Sequence, residues 1–317
     1  MAPADLFAEN LSACPACGDS VMKPWLRQEI AGVTFHLDKC WACGTGFVNP
    51  PPSPAYLKSL YGCTGHGSKS LTSFDAVMAA EVEFPNSTVD AERMVKYARK
   101  LLAPEKAGPR KALDVGSGYG FFSQAALNQG FKVIAVNPAS SENRIFQQLN
   151  GFEPIPQFFE EVDFGAEKFD LVILSQILEH LLDPLQVLVK IRNLLKPEGV
   201  IAIAVPNVDA ILIKILKSKS SFLGLPEHII HFSRKGLGAI LQRAGFEVKH
   251  HLYYSRIPYY ALSNRLNLQG RPRKLANYCV RICQWAPLAI CNGGGMGLFQ
   301  NMWAVPAGSG QAAGCGD

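Results

Sequence analysis

No stretch of this chain reaches the roughly 18 uninterrupted apolar residues that a membrane-spanning helix needs. No basic segment followed by an apolar run opens it either, so the sequence predicts a cytoplasmic location without a secretory leader. Charge is sparse, at 18% of residues with a net +5, an excess that suits an anionic substrate or ordinary solvated surface charge equally well. No internal repeat marks the chain as an array. What it does have is 317 residues with 48% hydrophobic content, enough to bury a full core as one large domain with one or two small additions. The greasiest late segment, Tyr278 to Cys291, is interrupted by Arg281, Gln284 and Pro287, and is expected to be a helix packing on the core.

The most informative segment is Leu113-Asp114-Val115-Gly116-Ser117-Gly118-Tyr119-Gly120, a short apolar strand that ends in alternating glycines before a predicted helix, Phe121 to Asn128. Glycine lets the backbone bend sharply and approach a ligand where a Cβ would collide, and a following helix points amide donors at the same place. A dinucleotide-binding fingerprint fits less well, because its third glycine would fall at Phe121. Lys132 to Asn137, Phe169 to Ser175 and Val200 to Val205 read as further strands, too uniformly apolar for a half-exposed sheet. A helix from Pro184 to Leu195, stopped by Lys196-Pro197-Glu198-Gly199, separates the last two. Strands alternating with helices predict a doubly wound, Rossmann-like α/β sheet.

Four of the nine cysteines form Cys14-Pro15-Ala16-Cys17-Gly18 and Cys40-Trp41-Ala42-Cys43-Gly44, two knuckles separated by about 22 residues, slightly above the usual ribbon spacing. A two-residue gap lets both thiolates of a pair reach one tetrahedral ion, and four thiolates leave no open position, so Cys14, Cys17, Cys40 and Cys43 predict a small amino-terminal ribbon around a structural zinc. Disulfide pairing is the alternative, disfavoured because nothing marks the chain as secreted. Cys63, Cys279, Cys283, Cys291 and Cys315 lack such spacing and read as incidental thiols.

The glycine turn after Asp114, together with Leu178-Glu179-His180, Leu194-Leu195-Lys196-Pro197-Glu198-Gly199, Pro206-Asn207 and His231-Phe232-Ser233, resembles the class I S-adenosylmethionine-dependent methyltransferases over about residues 90 to 250. With the ribbon, the chain is similar to zinc-ribbon methyltransferases of sugars and secondary metabolites. The resemblance implies S-adenosylmethionine on Asp114, Gly116, Ser117, Gly118 and Gly120, with Phe158 beside adenine and Ser175 and Gln176 after the fourth strand. Where that family carries an acid for the ribose hydroxyls, this chain has Asn137, which loses a charge-assisted grip worth about 1–2 kcal/mol. Glu142, five residues on, is a candidate to compensate, although a solvated helix-face charge is the expected role. Tyr56 or Tyr61 is a candidate to cover the cofactor or the substrate.

On the acceptor side, His180 follows the fourth strand, four residues after Gln176 and so on one helix face with it. His228 and His231 lie in a later loop before a helix capped by Ser233. The resemblance implies that one of His231, His180 and His228, in that order of expectation, removes the acceptor's proton. A metal held by the three is a lesser alternative.

These readings together predict a methyltransferase acting on an O, C or N centre of a small molecule, a sugar, nucleotide-sugar or secondary metabolite. The Asn/Asp-Pro-Pro-aromatic motif of nucleic-acid amine methylases is missing after the fourth strand, where Leu174-Ser175-Gln176-Ile177 stands, so nucleic acid is disfavoured. A zinc-ribbon RNA methyltransferase and a non-catalytic cofactor-binding scaffold remain as alternatives, and the oligomeric state is open. The expected divisions are a ribbon over 1–50, a connector and helical lid over 51–90, the cofactor domain over 91–250, carboxyl-terminal helices and a final strand over 251–305, and a disordered tail over 306–317.

Overall fold

The computed structural model describes residues 6–61, 71–84, 86–104, 108–255, 266 and 268–308. Its amino-terminal part is a hairpin of β1 (Met22–Ile30) and β2 (Val33–Cys40), extended by β3 (Gly46–Val48). Prolines after β3 end the sheet, and α1 (Pro54–Tyr61), α2 (Phe74–Glu83) and α3 (Ser87–Leu101) lead into the larger domain. The segment expected as a lid is therefore partly regular helix; residues 62–70 and 85 of it, with Cys63, lie outside the described residues.

The larger domain runs through β4 (Lys111–Val115), α4 (Phe121–Asn128), β5 (Lys132–Val136), α5 (Ser140–Asn150), β6 (Phe169–Ser175), α6 (Pro184–Leu194) and β7 (Leu195–Pro206). It continues through α7 (Ile211–Leu216), β8 (Ile230–His231), α8 (Arg234–Arg243), β9 (Phe246–Tyr254), α9 (Gly270–Gly293) and β10 (Phe299–Pro306). The main sheet has the order β5-β4-β6-β7-β10-β9. β5, β4, β6 and β7 are parallel neighbours, whereas β10 enters antiparallel between β7 and β9.

Side-chain alternation explains why the central strands read as continuous apolar runs. Val172 and Leu174 of β6 and Ile201, Ile203 and Val205 of β7 pack into one core, while Leu171, Ile173, Ala202 and Ala204 join α3, α4 and Trp303 in another. A sheet covered on both faces has no solvent side to mark with polar residues. The buried Trp303 indole donates to the Met94 carbonyl at 3.1 Å, which locks α3 onto β10.

Several boundaries differ from the sequence expectation. α6 starts at Pro184 behind Asp183, which caps it by accepting from the Gln186 amide at 3.0 Å, and it stops at Leu194. β7 already includes Lys196-Pro197-Glu198-Gly199, because the pairing with β6 steps from Phe169↔Leu195 to Leu171↔Val200 and the extra residues form a bulge. The divisions expected at 90/91 and 250/251 fall inside α3 and β9, and β10 is an inner strand of the main sheet. α9 lies against β9, with Leu275, Tyr278 and Ile290 exposed on its outer side; the side chains of residues 281, 282, 284 and 285, within the segment expected to pack on the core, lie outside the described residues. Of the expected tail, residues 309–317, with Cys315, lie outside the described residues, and Pro306 is the end of β10.

The ribbon is not a separate appendage. Its sheet has the order β1-β2-β3-β8, so the fourth strand comes from the histidine-bearing loop of the larger domain, with Gly46 opposite His231.

Candidate active site

β4 ends in Asp114 and Val115, and the chain turns through Gly116, Gly118 and Gly120, all at positive φ, where only glycine avoids strain. The Gly116 and Ser117 amides both donate to the Val136 carbonyl, at 2.8 and 3.1 Å, which ties the turn to the end of β5. The glycines have different jobs. A Cβ on Gly116 would lie 2.0 Å from Ile177 Cδ1, and one on Gly120 would lie 2.2 Å from Asn150 Nδ2 and 2.6 Å from Phe146. At Gly118 the nearest atom would be Glu142 Oε2 at 3.9 Å, so this glycine opens toward space that a ligand can fill. Asp114 is buried and accepts from Ser123 Oγ at 2.7 Å; burial pushes its carboxyl up to about 6.

Beside the turn lies a cavity of about 390 Å³, within the size range of small-molecule sites. Its walls include Gly116, Val136, Asn137, Phe158, Ile177 and His180, with Leu57 of α1 and Val187 of α6. Asn137 follows β5 and is buried, as is Glu142. The Asn137 amide donates to Glu142 Oε2 at 3.1 Å and to Asn143 Oδ1 at 2.9 Å. Glu142 is thus no solvated helix-face charge: the first turn of α5 carries it inward, and Asn137 aims its carboxylate into the cavity wall. It restores an acid beside the position where the sequence lacks one. Phe158 lines the same cavity, with the Lys58 ammonium 5.7 Å from its ring centroid.

Of the residues expected at the cofactor, Asp114, Ser117, Gly118, Gly120, Ser175 and Gln176 do not line this cavity, whereas Gly116, Asn137 and Phe158 do. Gln176 sits at φ +56, with its amide donating to the Ala204 carbonyl, and a 3-10 turn over Leu178–His180 follows. Gln176 and His180 therefore do not share a helix face, contrary to the expectation.

The three histidines separate by environment. His180 lines the cavity, and its Nδ1 lies 3.0 Å from the Glu227 carbonyl. A carbonyl only accepts, so in the neutral ring Nδ1 carries the proton and Nε2 the lone pair. The His228 ring meets His180 edge-on, with centroids 4.7 Å apart. Gly224 makes this possible, since a Cβ there would lie 2.3 Å from His228 Nδ1. The fully buried Glu179 completes the group, with donor atoms of Glu179, His180 and His228 all within 4.8 Å of one another. His231 is elsewhere: it is buried on β8 against the ribbon, its ring 6.3 Å from that of Trp25. Burial, followed by the charge of His228, pushes its pKa down to about 3, so it stays neutral. The residue ranked first as base thus lies off the cavity wall, and the histidine trio expected as a metal alternative is replaced by Glu179 with His180 and His228.

Tyr56 is half-buried on α1, and burial, followed by the charge of Glu227, raises its pKa. The side chain of Tyr61 lies outside the described residues.

At the ribbon, the sulfurs of Cys14, Cys17, Cys40 and Cys43 all lie within 4.8 Å of one another, with Cys14 to Cys43 at 3.7 Å and Cys17 to Cys40 at 3.5 Å. Zn–S bonds of about 2.3 Å in a tetrahedron set sulfurs about 3.8 Å apart, so the four fit a zinc ion. The Cys14 thiol bonded to Cys43 pulls the latter down to about 5, and the same bond pushes Cys14 up. Gly18 and Gly44, at φ +80 and +78, close the knuckle turns onto the Cys14 and Cys40 carbonyls. Helix α8 clasps both knuckles: Ser233 Oγ donates to the Cys43 carbonyl at its start, and Arg243 donates to the Pro15 and Ala16 carbonyls at its end.

A family model described as a methyltransferase domain matches residues 90–251. A ubiquinone biosynthesis O-methyltransferase from Actinobacillus pleuropneumoniae is 27% identical over 172 residues, covering 50% of this chain and 74% of its own length. A tRNA U34 carboxymethyltransferase from Dichelobacter nodosus is 29% identical over 164 residues, covering 49% of this chain and 51% of its own. Among solved structures, the CcbJ methyltransferase from Streptomyces caelestis is 12% identical, with a TM-score of 0.47 over 73% of this chain and 96% of its own. The chain spans between half and three quarters of the two curated relatives' length.

Proposed function

This chain belongs to the methyltransferase-domain family and is an S-adenosylmethionine-dependent methyltransferase, and from that premise we propose that it methylates an O, C or N centre of a small molecule, a sugar, nucleotide-sugar or secondary metabolite. The observation that carries this reading is the single cavity wall shared by Gly116, Asn137, Phe158 and His180. It joins the glycine turn to an imidazole at the carboxyl edge of the sheet, where open α/β sheets bind ligands. The relatives named as O-methyltransferases favour oxygen among the three centres.

The cofactor supplies an activated methyl group, and the chain's own residues have three tasks. Gly118 would leave room for it at the turn, Glu142, held by Asn137, would accept from its ribose hydroxyls, and Phe158 would face its adenine. His180 Nε2 takes the acceptor's proton, while Glu179 stabilises the resulting imidazolium and His228 packs edge-on to fix the ring. The apolar wall of Leu57, Ile177 and Val187 excludes water from the transfer. Cys14, Cys17, Cys40 and Cys43 would hold a structural zinc, which would fix the strand pairing behind the His228 loop.

The test is incubation of the full chain with S-adenosylmethionine carrying a heavy-isotope methyl group, against pools of sugar nucleotides, hydroxylated secondary metabolites and total tRNA. Label in a small molecule is expected. Label in tRNA alone would replace the reading with the RNA alternative, for which one relative is named.

A further inference from the structure

Among the described residues, Arg93 and Asn301 hold buried polar atoms with no hydrogen-bond partner. Arg93 projects from the second turn of α3, with its guanidinium over the Tyr254 ring, Cζ 4.1 Å from the centroid. One end of the fork, Nη1, pairs with Asp90 Oδ1 at 3.1 Å. The other edge, Nε with Nη2, is buried and makes no hydrogen bond among the described residues. That is the side-on edge whose two parallel N–H groups match the two oxygens of a carboxylate or phosphate.

Asn301 is fully buried on β10, and among the described residues neither its Oδ1 nor its Nδ2 has a hydrogen-bond partner. Strand register places it near Arg93. Tyr254, under the guanidinium, is paired with Phe299 and stacks on it, and Leu252 opposite Asn301 is the next residue of that sheet face. On the other side of Asn301, Trp303 donates to Met94, the residue after Arg93. Asn301 therefore lies on the sheet face that α3 covers, between the Tyr254 ring under Arg93 and the Trp303 bond to Met94. Leaving buried amide and guanidinium atoms unsatisfied is costly, and a ligand that satisfies them removes the cost.

The position decides which ligand. Phe299 pairs with Pro206, the last residue of β7, so this cluster lies at the carboxyl edge, level with the glycine turn and His180. It stands over β10 and β9, three and four strands from β4. At about 4.8 Å per strand that is about 14 to 19 Å from the turn, on the side away from the adenine wall. We propose that Arg93 and Asn301 form an oxyanion subsite for the methyl acceptor, which is then an extended small molecule bearing a carboxylate or phosphate about 10 Å or more from its methylated centre. The proposal rests on the small-molecule reading above and narrows it to acidic acceptors.

The experiment reads anion binding without turnover. The full chain saturated with S-adenosylhomocysteine is titrated with methyl phosphate and, separately, acetate, followed by calorimetry and thermal shift. Wild type should bind at least one, and the tighter of the two names the oxyanion. Arg93→Lys keeps a cation for Asp90 but lacks the side-on edge and should weaken that binding about tenfold or more. Asn301→Leu should weaken it as well, while both variants keep wild-type affinity for S-adenosylhomocysteine. Equal anion affinity in wild type and Arg93→Lys, or no binding of either anion by wild type, overturns the subsite. Failure of the whole methyl-transfer reading would appear separately, as loss of S-adenosylhomocysteine binding by wild type.

Discussion

Ser233 Oγ donates to the Cys43 carbonyl while accepting from the Gly236 amide at 2.9 Å, so one hydroxyl both caps α8 and holds the second zinc knuckle. Two residues before it, His231 pairs with Gly46 on β3, and the Ile229 amide donates to the Glu179 carbonyl. The ribbon is thereby wired to the Glu179, His180 and His228 group through short backbone contacts. Metal occupancy at the cysteines and acceptor-side geometry are expected to rise and fall together.

One zinc per chain is expected in metal analysis of purified protein, and Cys40→Ser should lose it. Hydrogen exchange over residues 224–233 should quicken on chelation, while exchange over β4 and β5 stays slow. Zinc-free protein with unchanged exchange in that loop would remove the metal's structural role. Ser233→Ala should cost about 1–2 kcal/mol of stability through the lost cap and the buried Cys43 carbonyl.

His180→Ala is expected to lower turnover about a hundredfold or more at near-unchanged cofactor affinity. His231→Gln should keep turnover, because its ring lies off the cavity wall. Single-turnover rates on an identified acceptor check both. A His180 variant with wild-type turnover would leave transfer to alignment alone.

His231 should instead shape acid stability. Its folded pKa, about 3, is depressed below the ordinary histidine value of 6.5, so between those values the unfolded chain binds the extra proton. The stability it contributes is present above pH 6.5 and declines as pH falls toward 3. At pH 5 the loss is about 2 kcal/mol for this one group. Denaturant unfolding at pH 7 and pH 5 should show a smaller acid loss in His231→Gln than in wild type, and identical losses would show that His231 does not carry the effect.

The glycines of the turn should divide as their surroundings do. Gly118→Ala is expected to weaken cofactor binding with a modest loss of stability from its positive φ. Gly120→Ala should destabilise the fold itself, since the new methyl meets Phe146 and Asn150. Melting temperatures beside cofactor affinities separate the two, and equal melting temperatures would contradict the division.

Much of this was legible in the sequence because it depends on local spacing. The glycine turn, the paired cysteines and the apolar strands each carry their physical reason within about ten residues. Glu142 was legible only as a candidate to compensate for Asn137. Its inward aim depends on how α5 meets Asn137, and a glutamate in a first helical turn is as often solvated. The order of the histidines was hidden for a similar reason, as β8 joins the ribbon only through pairing with β3, far away in the chain. The bulge at Lys196-Pro197-Glu198-Gly199 has the composition of a helix stop, and only the register with β6 shows that it belongs to a strand.

Binding of the cofactor product at Glu142 is the point on which the site depends, and it is measured by calorimetric titration of the full chain with S-adenosylhomocysteine, wild type beside Glu142→Gln. One site per chain is expected, with about tenfold or greater weakening in the variant as the charge-assisted bonds to ribose are lost. Asn137→Asp should weaken binding as well, because it sets a second carboxylate against Glu142. No binding by the wild type, or equal affinity in wild type and Glu142→Gln, would contradict this placement of the cofactor.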